Sequence, residues 1–143
     1  MELRWLAPAD PLRSDELELR WRVLRGPLGH SRQETRFPFE EESLHLVALD
    51  GARLVGCVLF HPEGPETGRL FQMAIEPARQ GEGIGLQLVR ELEAEVARRG
   101  FSTVTLHARE TAVGFYARLG YAVFGEPFVE VGVPHRHMRR RLA

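Results

Sequence analysis

The chain has 143 residues, a length typical of one folded domain, and we predict a single domain over residues 1–143. The formal net charge of −1 argues against general nucleic-acid binding, because such binding needs a basic surface. Neither a signal peptide nor an apolar run of about 18–20 residues is visible, so we expect a cytoplasmic protein without a membrane partner. The only cysteine, Cys57, lies in an apolar run, which favours a core residue over a nucleophile.

The first half of the chain predicts one helix and four strands. In chain order these are a strand over residues 2–6, a helix that begins near Ser14 and ends before Gly26, and strands over residues 44–49, 52–60 and 69–75. Residues 28–42 are polar and show no clear period. The pair Asp50-Gly51 predicts a type I′ hairpin turn, which requires positive φ at both central positions.

The second half predicts two helices separated by a strand, followed by two short strands. The predicted bounds are a helix from Gly85 to near Gly100, a strand over 101–107, a helix over 112–120, and strands over 121–124 and 135–142. The alternation of these elements predicts an α/β (α+β) fold, in which helices pack against a mixed sheet.

The segment from Ile75 to Gly85 runs from a strand, through three glycines, into a helix. Glycine lets successive backbone N–H groups turn toward one point, and a helix N-terminus adds unpaired N–H groups and a positive dipole end. The segment therefore predicts a diphosphate site, with a tight ligand-free turn as the alternative. A Walker loop is excluded because the chain has no lysine, and a dinucleotide fingerprint fails because Leu86 and Leu88 stand where its third glycine would be.

Two motifs together identify a family resemblance. The spacing Gln80-x-x-Gly83-x-Gly85 resembles the coenzyme A loop of the GNAT superfamily of N-acyltransferases, and residues 112–121 resemble its second signature, A-x-x-F-Y-x-x-x-G-[FY]. The resemblance covers residues 44–142 well and the preceding part loosely. It implies a mostly antiparallel sheet of six to seven strands flanked by about four helices, and an acetyl-CoA-dependent N-acetyltransferase.

The resemblance also implies which residues bind acetyl-CoA. In the family the fourth strand splays from its neighbour and frees backbone N–H groups for the acyl oxygen and pantetheine. Arg109 stands where the family often has Asn, and its guanidinium could instead reach a phosphate. The expected cofactor-binding residues are Met73, Ala74, Ile75, Gln80, Gly81, Glu82, Gly83, Ile84, Gly85, Leu86, Arg109 and Phe115.

Tyr116 matches the family tyrosine that protonates the departing thiolate, with a packed core tyrosine as the alternative. The resemblance implies direct transfer without an acyl-enzyme, so a base must deprotonate the incoming amine. The candidate bases are Glu76, Glu126, Glu130 and His135. The tail resembles the ending of a bacterial subgroup whose Glu and His face the acceptor, which ranks Glu130 and His135 first. Gln72 is a further candidate pocket residue.

Several alternatives stay open on the sequence alone. His135 and His137 share a strand face and could suggest a zinc site. Two ligands without a third Cys, Asp or Glu at a suitable spacing are weak evidence for zinc, so we expect no metal. The expected partner is a small-molecule or peptide amine, and the final strands are a candidate contact for a homodimer. A non-catalytic acyl-CoA sensor of the same fold is the main functional alternative, and a Rossmann-type nucleotide enzyme is a weaker one.

Overall fold

The computed structural model describes residues 1–142, so Ala143 of the predicted domain lies outside the described residues. Its strands and α-helices, in chain order, are β1 (Glu2–Trp5), α1 (Leu12–Arg20), β2 (Leu44–Asp50), β3 (Arg53–Pro62), β4 (Thr67–Ile75), α2 (Ile84–Arg98), β5 (Thr103–Arg109), α3 (Val113–Arg118), β6 (Ala122–Glu130) and β7 (Val133–Arg141). A π-helical turn over Trp21–Arg25 continues α1, and short 3₁₀ turns include those over Gln33–Thr35 and Glu40–Glu42.

The seven strands form one sheet in the order β1-β2-β3-β4-β5-β7-β6. Every neighbouring pair is antiparallel except β4 and β5, which are parallel. The predicted mixed, mostly antiparallel sheet is therefore confirmed, with three α-helices among the described residues. None of the helices in residues 1–142 is both long and apolar enough to cross a membrane.

The hydrophobic core lies on both faces of the sheet because strand side chains alternate between faces. The α2 stripe, which includes Leu88, Leu92 and Val96, is wholly buried against one face. On the other face Leu19 of α1 packs in a second buried cluster with β2, β3 and β4 residues that include Cys57. Cys57 is fully buried, and burial raises the pKa of its thiol, as expected for a core residue rather than a nucleophile.

Two hairpins differ from the sequence prediction. Asp50 pairs with Arg53, so the central turn residues are Gly51 and Ala52, and only Gly51 has positive φ, at 60°. The predicted type I′ turn is wrong there, because one positive φ at the first central position is the type II′ pattern.

The final two strands are longer than predicted, with nine residues each. They pair with each other across an irregularity between Phe124 and Phe128 and reverse at Val131-Gly132. Both reversal residues have positive φ, 48° and 74°, which is the type I′ pattern, and for a β-branched valine this conformation is strained.

The geometry of β4 opens the sheet at its centre. Cys57 pairs with Ala74 but Leu59 pairs with Phe71, so β4 holds one extra residue at this point and forms a bulge. Gln72 lies in the bulge with φ at 53°. The parallel pairs between β4 and β5 run from Thr67 to Leu70 and end there. The carboxyl halves of β4 and β5 therefore diverge, as the resemblance implied.

Candidate active site

The gap between β4 and β5 leads into a cavity of about 730 Å³. Its walls come from the carboxyl halves of both strands, the glycine loop, α3, the π-helical turn and the reversal between β6 and β7. The predicted site residues on these walls are Gln72, Met73, Ala74, Ile75, Gln80, Gly81, Gly83, Ile84, Gly85, Leu86, Arg109, Phe115, Tyr116, Glu130 and His135. Glu82 does not line the cavity; its exposed carboxylate accepts a hydrogen bond from Arg79 Nε at 2.8 Å.

The glycine loop owes its shape to backbone conformations that favour glycine. Gly81 and Gly83 have φ of 86° and 85°, and Gly83 is the residue that caps α2. No side chain among residues 1–142 caps this end of α2, which leaves its first N–H groups free for an anion. Gly85 serves a different purpose, because a Cβ there would lie 3.1 Å from the Phe115 ring. It thus lets α3 approach the loop closely.

Tyr116 lies in the wall of the cavity with 6% of its surface exposed. Its ring packs edge-on against Phe115 and Tyr121, at centroid distances of 5.0 and 5.9 Å. Within residues 1–142 its hydroxyl has no hydrogen-bond partner, whereas that of Tyr121 donates to Glu93 Oε2 at 2.9 Å. Burial raises the pKa of Tyr116 above its ordinary value, so the phenol keeps its proton at neutral pH and can donate it.

A carboxylate and two imidazoles meet in the part of the cavity wall formed by β5, β6 and β7. Glu130 accepts a hydrogen bond from His107 Nδ1 at 2.9 Å, which lowers the pKa of the Glu130 carboxyl to about 2. His135 Nδ1 donates to the Val133 carbonyl oxygen at 2.7 Å, and its Nε2 lies 3.6 Å from Glu130 Oε2. Because Nδ1 holds the proton of the neutral ring, Nε2 is left as the basic nitrogen.

The structure separates the four candidate bases. Glu76 lies outside the cavity, where Arg22 donates two hydrogen bonds to its carboxylate, at 3.0 and 3.1 Å, and thereby lowers its pKa. Glu126 is exposed on β6 and also lies outside the cavity lining. Only Glu130 and His135 of the four reach the cavity. The low pKa makes the Glu130 carboxylate a weak base, which favours His135.

Sequence reasoning missed five cationic or imidazole side chains of the cavity. The residues that line it without having been predicted are Arg25, Arg69, Arg79, His107 and Arg118. The predicted Arg109 is there too, but one of its terminal nitrogens donates to the Leu24 carbonyl oxygen at 2.7 Å. Arg25, Arg69 and His107 lie outside the two local motifs, so only the fold brings these three together.

The zinc alternative gains no support from the neighbours of His137. Its ring stacks on Phe128, with centroids 4.2 Å apart. Among residues 1–142, three possible metal ligands come together elsewhere, at Glu16, Glu40 and His45. The guanidinium of Arg20 donates to both of those carboxylates and supplies the positive charge at that position.

Comparison with known proteins supports the expected chemistry. Residues 28–142 match the family described as acetyltransferase (GNAT) domain. The relative YjcF of Bacillus subtilis (strain 168), described as an uncharacterized N-acetyltransferase, is 32% identical over 102 residues, which cover 71% of this chain and 72% of YjcF.

Two solved structures share the whole fold. The aminoglycoside 6'-acetyltransferase type Ii has a TM-score of 0.82 and 26% identity, and the match covers 99% of this chain and 97% of that one. An aminoglycoside 6'-N-acetyltransferase complexed with coenzyme A has a TM-score of 0.82, 23% identity and the same coverage. At 23% identity the second match shows a common fold.

Proposed function

The chain is a member of the GNAT family and an acetyl-CoA-dependent N-acetyltransferase, and we propose that it transfers acetyl directly to a primary amine within a ternary complex. One observation supports this above all. A single cavity joins the glycine loop, the gap between β4 and β5, Tyr116, and the pair of Glu130 and His135. A non-catalytic sensor would need the loop, but it would have no use for a buried phenol donor in the same cavity as a basic imidazole.

The proposed donor site follows the shape of the cavity. The diphosphate of coenzyme A rests on the backbone N–H groups of the loop and the first turn of α2, between residues 80 and 86. The pantetheine chain enters the gap between the diverging strands. Backbone N–H groups at the open edge of β4, around residues 73–75, receive the thioester oxygen. Such preorganised donors can be worth about 3–4 kcal/mol to the transition state.

The proposed reaction moves one acetyl group and two protons. The neutral amine nitrogen attacks the thioester carbon, which forms a C–N bond and a tetrahedral oxyanion. Collapse of the oxyanion breaks the C–S bond, and Tyr116 gives its proton to the departing thiolate. His135 Nε2 accepts a proton from the attacking nitrogen, directly or through water. The products are an amide and coenzyme A thiol, and the proton on His135 then restores Tyr116 through solvent.

We expect His135→Gln to lower kcat/KM at neutral pH by about tenfold or more, because no imidazole then accepts the proton of the amine. Glu130→Gln should lower kcat/KM by less than His135→Gln does, because the lowered pKa of the Glu130 carboxyl makes it the weaker base. The measurement is kcat/KM for thiol release by the wild type and the two variants; a wild-type kcat/KM in His135→Gln would remove His135 as the base.

We expect Gly83→Asp to weaken acetyl-CoA binding by at least about tenfold, since a carboxylate then faces the diphosphate. Gly29→Asp is the matched control, because Gly29 also has φ of 85°, and a Cβ at either position meets nothing within 4 Å. Gly29 lies outside the cavity lining. Calorimetric titration of both variants tests the loop, and equal acetyl-CoA affinity in the two would refute it.

The experiment that tests the function as a whole is an amine panel assayed for free thiol release from acetyl-CoA. Release that depends on an amine, with the matching amide identified by mass spectrometry, is the expected result. Tight acetyl-CoA binding without release for any amine would instead favour the sensor.

A further inference from the structure

The part of the cavity around Glu130 and His135, which we call the acceptor side, carries an excess of positive charge. Side chains alternate along β5, so His107 and Arg109 share the face opposite to the buried Leu106 and Ala108. Arg69 reaches the same face from β4, since its terminal nitrogen lies 3.9 Å from Glu130 Oε1, the oxygen that also accepts from His107. We name the three arginines Arg25, Arg69 and Arg109 the basic cluster.

Arg25 is the member of the basic cluster that is free to bind a ligand. It is half-buried in the π-helical turn, with its guanidinium carbon 5.7 Å from the Phe37 ring centroid. No acceptor in residues 1–142 forms a hydrogen bond with this guanidinium, and no carboxylate of that range lies within 4.0 Å of it. Burial lowers the pKa of Arg25, Glu130 opposes this shift, and Arg109 adds to it.

The other two arginines are only partly satisfied. The Nε atom of Arg69 is buried and has no hydrogen-bond partner in the described chain. Arg109 donates one bond, to the Leu24 carbonyl, which is a neutral group. Glu130 is the only carboxylate among the described residues that line the cavity. Three guanidinium charges thus face one carboxylate, and the half-buried setting strengthens any further pairing.

We propose that the acceptor is a primary amine that also bears a carboxylate, and that the basic cluster, with Arg25 as its principal contact, binds this carboxylate. The inference rests on the proposed acetyl transfer and names the class of its acceptor. A planar guanidinium matches a carboxylate in a bidentate pair, whereas a polyamine would meet like charge at the same place. The surrounding positive charge also favours the neutral form of the amine, which is the form that attacks.

The test compares amines that differ only in the carboxylate. Glycine, β-alanine and 4-aminobutyrate are each assayed beside the corresponding carboxamide, so that each pair keeps the amine and differs only in the anion. The three pairs differ from one another in the distance between the amine and the carboxylate or amide. We expect kcat/KM for at least one acid to exceed that of its amide by about tenfold or more. The ammonium groups of the amides are more acidic than those of the acids, so a larger fraction of each amide is in the neutral, reactive form at neutral pH. This difference favours the amides and therefore works against the expected result.

Arg25→Gln should reduce the acid-to-amide ratio toward one, and Arg53→Gln is the control, because Arg53 is exposed on β3 and lies outside the cavity lining. As a measurement on the unaltered protein, butyrate should inhibit competitively against the amine while butyramide should not. Preference for the amides or for a diamine, or a ratio unchanged in Arg25→Gln, would overturn the inference and leave acetyl transfer standing. Absence of thiol release with every amine would instead refute the proposed function, and the inference with it.

Discussion

Replacing Tyr116 with phenylalanine is expected to lower kcat by about 10²-fold or more and to leave the acetyl-CoA dissociation constant within about twofold. The ring would keep its contacts with Phe115 and Tyr121, so the cavity wall should be preserved. The hydroxyl has no protein partner in residues 1–142, so its removal leaves no buried group unsatisfied and should not lower the melting temperature. Turnover, calorimetric titration and thermal unfolding measure the three quantities separately.

Tyr121→Phe is expected to have the opposite effect, a loss of stability without a loss of kcat. Tyr121 donates to the buried carboxylate of Glu93, whose other oxygen accepts from Arg90 and Arg140, each at 2.7 Å. Tyr121→Phe should lower the free energy of unfolding by about 1.5–3 kcal/mol, since it removes a hydrogen bond to a charged group. Its kcat per folded molecule should stay at the wild-type value. Equal losses of kcat in the two variants would mean that Tyr116 acts through packing, and wild-type kcat in Tyr116→Phe would remove it from the mechanism.

The shape of the proposed donor half could be predicted from the sequence because its determinants are local. The backbone has positive φ at Gly81 and Gly83, and Phe115 approaches Gly85 closely. Glycine suits all three positions, and they lie within five residues of one another. The helix that contains Tyr116 could be predicted for the same reason, because its apolar stripe and the second motif lie in one segment. In both cases the residue types and the backbone geometry they permit lie in one short segment.

The acceptor half could be predicted only in part: the family resemblance gave Glu130 and His135, but the side chains that surround them come from distant parts of the chain. His107 faces Glu130 only because β7 inserts between β5 and β6, and no local pattern reveals that order. The candidacy of Glu76 failed for a similar reason, since its partner Arg22 comes from the π-helical turn. Arg25 and Arg69 meet at the cavity from elements more than forty residues apart. Long-range topology, rather than residue type, decides which charges share this face.

The segment 28–42 shows why a missing period does not mean a missing structure. It has no apolar stripe, but Phe37 and Phe39 pack against Phe71 of β4, and the fully buried Arg20 anchors it by hydrogen bonds. Arg20 donates to Glu16 at 3.0 Å on its own helix, and to Glu40 and the Thr35 carbonyl oxygen at 2.9 Å in the segment. Its Nε donates to Gln72 Oε1 at 3.2 Å in the β4 bulge. One guanidinium thus links α1, the segment and the strand edge proposed to bind the thioester.

Arg20→Met is therefore expected to lower the free energy of unfolding by about 3–5 kcal/mol, because it leaves the buried carboxylate of Glu16 and the partly buried carboxylate of Glu40 without their cation. Arg4→Met is the matched control: Arg4 pairs with Glu2 on the surface, and an exposed pair of this kind contributes at most about 1 kcal/mol. Denaturant unfolding of both variants gives the comparison. Similar small losses in the two would mean that the buried network adds little to stability. Since Arg20 also holds Gln72, the folded fraction of Arg20→Met should show a lower kcat than Arg4→Met, as expected if the bulge positions the thioester.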